Sequence, residues 1–244
     1  MAILLAHLLV AYIVLIAPWL SRFKYRQLQQ KLAAGDLTAR IRFYRIGVLQ
    51  QALRTLLVLA ICLLGSIPLS TLGLAAPASW HQSGQTLSIV FVAIAVSVIL
   101  FRYRGDWQLR RLMKMVGALI PTSSTERGWF AAIALGAGVS EELVFRGFLL
   151  LYLNSYTSLS SMAVIVISSL IFGFCHLYQG WIGILATTFA GLCFALLYVG
   201  SGSLLVPTTV HAALDFRILL ILTPARLASL QQTKEATLVA SSLN

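Results

Sequence analysis

Of 244 residues, 59% are hydrophobic and 10% charged, with a mean hydropathy of +0.89; an ordinary soluble domain carries about 25% charged residues, so this composition describes a polytopic membrane protein. The net charge of +11 falls mainly in two segments between apolar runs, a pattern that orients membrane helices against anionic lipid. No aromatic and basic reading surface accompanies it, which sets aside a nucleic-acid partner and leaves the lipid bilayer.

Residues Met1 to Leu20 are apolar, and the first positive charges follow them at Arg22, Lys24 and Arg26. A secretory signal has the reverse order, so this run predicts an uncleaved first span with its N-terminus outside. Ser21 to Arg45 reads as a basic, partly amphipathic connection on the cytoplasmic surface, with Gly35-Asp36 as its turn. A second span is expected from about Ile46 to Leu69, with Arg54 near its inner end and Pro68 near its outer end. The loop Ser70 to Gln85 has Gly73, Pro77, Gly84 and Trp80 but no Lys or Arg, and belongs outside. A third span, Thr86 to Phe101, leads into a second basic segment, Arg102 to Arg127, which holds Arg104, Arg110, Arg111, Lys114 and the helix-breaking Pro121.

Four apolar runs then follow in quick succession: Gly128 to Leu153, Ser160 to Cys175, Trp181 to Val199 and Leu204 to Leu222. Links this short predict antiparallel neighbours. Pro224 closes the last run, and the tail to Asn244, with Arg226 and Lys234, is expected in the cytoplasm. The chain therefore reads as an all-α, multi-pass transmembrane bundle of about seven spans in the cell membrane, N-terminus out and C-terminus in. Cys62, Cys175 and Cys193 lie in apolar runs without metal or redox spacing and read as small core residues.

The acidic residues Asp36, Asp106, Glu126 and Glu235 fall in loops or the tail, whereas Glu141, Glu142 and Asp215 fall within apolar runs, as do His176 and His211 at their edges or inside. On insertion scales an Asp, Lys or Arg at a helix centre costs about 3 kcal/mol, so an anchor alone would have used Leu. Positions four apart share a helix face, while adjacent positions are about 100° apart. Glu142 therefore faces Arg146 as a supporting ion pair in the favourable order, acid before base. Glu141 is turned off that pair, which leaves it neutral, satisfied by another helix, or available as a base. His211 and Asp215, four apart, address one cavity from the last helix, and Phe172 and His176 repeat the spacing on another. A carboxylate beside an imidazole in low dielectric suits proton abstraction from water.

Glu141-Glu142-x-x-x-Arg146, then Phe172-x-x-x-His176, then His211-x-x-x-Asp215, in order on successive apolar helices, resembles the CPBP family, the CAAX prenyl protease and bacteriocin-processing enzymes. The resemblance covers about Trp129 to Leu222. It divides the chain into N-terminal spans with basic loops (1–127), a CPBP-like catalytic core (128–224) and a tail (225–244). It implies an intramembrane endopeptidase acting on a peptide or membrane-protein substrate. Glu141 and His176 would activate a water, and His211 and Asp215 would stabilise the oxyanion. The family often has Asn at the last position. An ionised Asp cannot donate a hydrogen bond, so Asp215 would have to be protonated or serve another group.

Other protease chemistries lack their parts. There is no His-Glu-x-x-His pair, no second intramembrane Asp, no Ser in a Gly-x-Ser-x-Gly turn and no buried Lys, and the adjacent Cys175 and His176 are poorly placed for a thiolate dyad. The four side chains Glu141, His176, His211 and Asp215 also suit a divalent metal such as zinc, so metal-free and metal-dependent sites both stay open. Two further readings use the same residues: a proton-coupled transporter with a polar relay, and a non-catalytic binding or immunity protein on the same scaffold. His7 and His81 read as structural, and Arg217 as snorkelling to the interface.

Overall fold

The computed structural model describes residues 1–103, 106–223 and 226. Pro224, Arg104 and the expected tail other than Arg226 lie outside the described residues. Among the described residues there are helices and no strands. The first rod joins α1 (Ala2–Ala11) to α2 (Ala17–Ala33) through a π-helical turn, Tyr12–Ile16, just before Pro18, which has no N–H to donate back to the preceding turn. Next come α3 (Ala39–Leu64), α4 (Trp80–Tyr103) and a short α5 (Asp106–Val116). A long rod then runs from α6 (Ser124–Glu142) through a second π-helical segment, Leu143–Leu149, into α7 (Leu150–Tyr156). The bundle closes with α8 (Ser161–Cys175), α9 (Gly180–Ser201) and α10 (Leu205–Ile221).

Four stretches, Ala2–Ala33, Ala39–Leu64, Trp80–Arg102 and Leu177–Ser201, are long and apolar enough to cross a bilayer. The large apolar side chains they turn outward, among them Leu63 at 82% exposure and Ile89 at 70%, are what a lipid-facing surface requires. The all-helical membrane architecture is therefore as expected, and the remaining rods are compatible with about seven spans.

Element boundaries differ from the sequence reading in one instructive place. The basic stretch 21–45 is no separate connection: α2 and α3 absorb it, leaving only a link at 34–38. Asp36 makes that link by accepting hydrogen bonds from the Thr38 backbone N–H (3.1 Å) and hydroxyl (2.9 Å) and pairing with Arg42. The start of α6 carries a capping box, in which Ser123 accepts from the Glu126 N–H while the Glu126 carboxylate reaches back.

Buried polar clasps bind α3, α6 and α10 together. Arg40 of α3 pairs with Glu126 at 2.9 Å, and the two amino groups of Arg127 each donate at 2.7 Å to the terminal carbonyls Leu219 and Leu222 of α10. Cations at a helix C-terminus also suit its dipole. Glycine lets the rods come close. A Cβ on Gly138 would stand 3.0 Å from the Thr208 carbonyl of α10, and one on Gly173 would stand 2.8 Å from the Ile184 carbonyl of α9. The apolar core gathers Leu9, Ile13, Val58, Ile61, Phe145, Phe148 and Phe172 around the second π-helical segment, all seven residues of which are buried.

Candidate active site

Glu142 and Arg146 form the sealed half of the site. Their side chains are 0% and 1% exposed, and Arg146 Nη1 donates to Glu142 Oε1 at 2.9 Å. The second amino group donates to the Gly191 carbonyl at 3.0 Å, and the guanidinium carbon lies over Phe172 (4.4 Å) and Phe194 (5.2 Å). Gly191 is needed there, because a Cβ would meet Arg146 Nη2 at 3.2 Å and the Phe172 ring at 3.1 Å. The ion pair expected from the spacing is thus present, with an aromatic box around it.

His211 joins the pair from α10. Its Nδ1 lies 2.7 Å from the same Glu142 oxygen, and its ring stacks on Phe194 at 4.7 Å. A carboxylate only accepts, so Nδ1 carries the proton and donates, and Nε2 is turned toward Asp215. There it stands 3.8 Å from Asp215 Oδ2, whose side chain is 42% exposed. Sequence spacing had joined His211 to Asp215 and missed Glu142. Relations between helices are set by packing and leave no periodic trace.

Glu141, one residue before, points the other way, as the 100° step requires. Its Oε2 lies 4.0 Å from His176 Nε2, and both side chains remain partly accessible. His176 stands at the C-cap of α8, where its Nδ1 donates to the Phe172 carbonyl at 2.8 Å and its ring rests on Phe172 at 4.8 Å. That bond fixes the tautomer of the neutral ring: Nδ1 holds the proton and Nε2 is an acceptor facing Glu141. Four ångströms is too long for a direct hydrogen bond and suits a bridging water.

The structure therefore sets Glu141 beside His176 and His211 beside Asp215, the two pairs within electrostatic range of each other, and holds Glu142 and Arg146 behind them. The π-helical segment directly after Glu142 was invisible in the sequence, because the spacing of residues 143–149 suits an α-helix equally well. Such segments often mark functional sites. Arg54 of α3, in the half of the chain where no site residue was expected, lies within electrostatic range of Glu141, and its Nε and that of Arg217 are buried without a hydrogen-bond partner among the described residues. Arg217 thus has its inner nitrogen in the bundle, short of the snorkelling expected of it.

Metal chemistry was left open by residue type. Among the described residues, no three His, Cys, Asp or Glu side chains converge to hold an ion.

A family model described as type II CAAX prenyl endopeptidase Rce1-like coincides with this region. Residues 123–217 match the Rce1-like family. The match begins at the capping box of α6 and ends two residues past Asp215, so it contains Glu141, Glu142, Arg146, His176, His211 and Asp215, while α1 to α5, Arg54 included, lie outside it. The similarity covers 95 of the 244 residues. No curated protein and no solved structure matches the chain.

Proposed function

We propose that the protein is an intramembrane endopeptidase in which Glu141 and His176 activate a water for attack on a peptide carbonyl. The observation that carries this reading is the 4.0 Å gap between Glu141 Oε2 and His176 Nε2, two acceptors facing each other across the width of one water. A water in that gap donates one proton to each and turns a lone pair outward. As the new C–O bond forms, the proton passes to Glu141 and is later delivered to the leaving amine.

His211 lines the opposite side. Held by Glu142 through Nδ1, it presents Nε2 to the cavity beside Asp215, and when protonated it donates to the developing oxyanion. Glu142 and Arg146 act as supports. In this reading residues 128–224 form the catalytic core and the spans within 1–127 enclose it, with the N-terminus outside and the C-terminus inside the cell membrane. The substrate is a peptide or membrane protein.

The test is mass spectrometry of membrane peptides from cells carrying intact protein or Glu141→Ala. A peptide pair present only with intact protein identifies both activity and substrate. Identical peptide profiles with the two proteins overturn the proposal.

A further inference from the structure

The oxyanion side of this site is short of a donor. An ionised carboxylate accepts hydrogen bonds and gives none, so with Asp215 ionised His211 Nε2 is the donor left to meet the charge that develops on the carbonyl oxygen. Sites of this kind gain about 10²- to 10³-fold in rate from each donor aimed at that oxygen.

Tyr178 has the missing chemistry. It lies in the 3-10 turn Leu177–Gln179 directly after His176, and its ring packs against the His176 ring with centroids 5.9 Å apart. On its other side it meets Tyr25 of α2 at 5.3 Å, so the phenol is held between the two. Gln179 Nε2 donates to its hydroxyl at 3.1 Å. That bond occupies a lone pair of the oxygen and leaves the O–H proton without an acceptor among the described residues. Gln179 is itself given room by a glycine, since a Cβ on Gly183 would fall 2.1 Å from the Gln179 Cβ. Glu141 and Asp215 both lie within electrostatic range of the phenol.

We propose that Tyr178 is a further catalytic residue of this site, its hydroxyl donating a hydrogen bond to the scissile carbonyl oxygen as that oxygen becomes negative. This rests on the peptidase reading above. The atoms balance without any added reactant. Water forms the C–O bond, the carbonyl π pair moves onto oxygen, and the water's proton goes to Glu141. Tyr178 shares its proton with the oxyanion and keeps it. When the C–N bond breaks, the proton on Glu141 goes to the amine.

The experiment uses the full-length protein in detergent, with an internally quenched farnesylated CAAX peptide as the probe, and compares wild type, Glu141→Gln, Tyr178→Phe and Tyr178→Phe/Asp215→Asn. Phenylalanine keeps the ring contacts with His176 and Tyr25, so the melting temperature should hold. The expected result is a loss of about 10²-fold in kcat for Tyr178→Phe with little change in KM, the mark of an interaction made only in the transition state. Inhibition by the corresponding peptide aldehyde, whose hydrate resembles the tetrahedral intermediate, should weaken by a similar factor. Adding Asp215→Asn should restore part of the rate, because an amide supplies an N–H donor that a carboxylate lacks.

If Tyr178→Phe keeps wild-type kcat while Glu141→Gln is inactive, this inference falls and the peptidase reading stands. A Tyr178→Phe defect with unchanged aldehyde inhibition and no rescue by Asp215→Asn likewise overturns it, as a structural effect. Cleavage that survives Glu141→Gln overturns both.

Discussion

Glu141 and Glu142 are neighbours in the chain with opposite surroundings. Glu142 is fully buried and shares one oxygen between Arg146 and His211, while Glu141 is partly open and faces His176 across a gap of 4.0 Å. One step along a helix is enough to separate a carboxylate with every incentive to stay put from one free to take a proton. In the proposed peptidase the sealed side supplies rigidity and the open side supplies chemistry, so perturbing each should give different losses.

On the open side, Glu141→Gln should cut the cleavage rate by about 10²- to 10⁴-fold while leaving thermal melting in detergent close to wild type. A parallel loss of stability would erase the contrast. On the sealed side, Arg146→Ala leaves a buried carboxylate without its cation and should cost about 3–5 kcal/mol of stability, read as a lower melting temperature and poor yield. The double change Glu142→Gln/Arg146→Met should recover much of that stability, since replacing both charges removes the uncompensated one.

A smaller effect is expected from Gly191→Ala. The new methyl would press on Arg146 Nη2 and the Phe172 ring, so about 1–3 kcal/mol should be lost, with activity falling because the support shifts.

The smallest effect concerns Glu126, in the first turn of α6 ahead of the apolar run. Burial pushes its carboxyl up, but bonds from the Thr122 backbone and hydroxyl and the charge of Arg40 outweigh this and hold it below the usual carboxylate range. A depressed folded value means stability that is present above the ordinary carboxylate range and lost as pH falls through the folded value. Acid melting curves should therefore flatten in Glu126→Gln relative to wild type.

How much of this was legible in the sequence follows the same division. The Glu142–Arg146 pair, the outward turn of Glu141 and the shared face of His211 and Asp215 are relations within one helix, and the helical repeat encodes them. The bond from His211 to Glu142, the Gly191 carbonyl under Arg146 and Tyr178 beside His176 link separate elements, and no spacing announces them. The extension of α3 back to Ala39 was hidden because Arg40, Arg42 and Arg45 read as loop charge, although Arg40 is neutralised by Glu126 of α6.

α8 has only 15 residues before it stops at His176. At 1.5 Å per residue it spans about 22 Å, some 8 Å less than a typical hydrocarbon slab of about 30 Å. A rod that short induces the surrounding lipid to thin, at a fraction of a kcal/mol for each ångström of mismatch. For the proposed peptidase such a dimple would bring bulk solvent down toward the imidazole at the rod's end, so that the water consumed in hydrolysis would arrive through a deformation of the membrane itself.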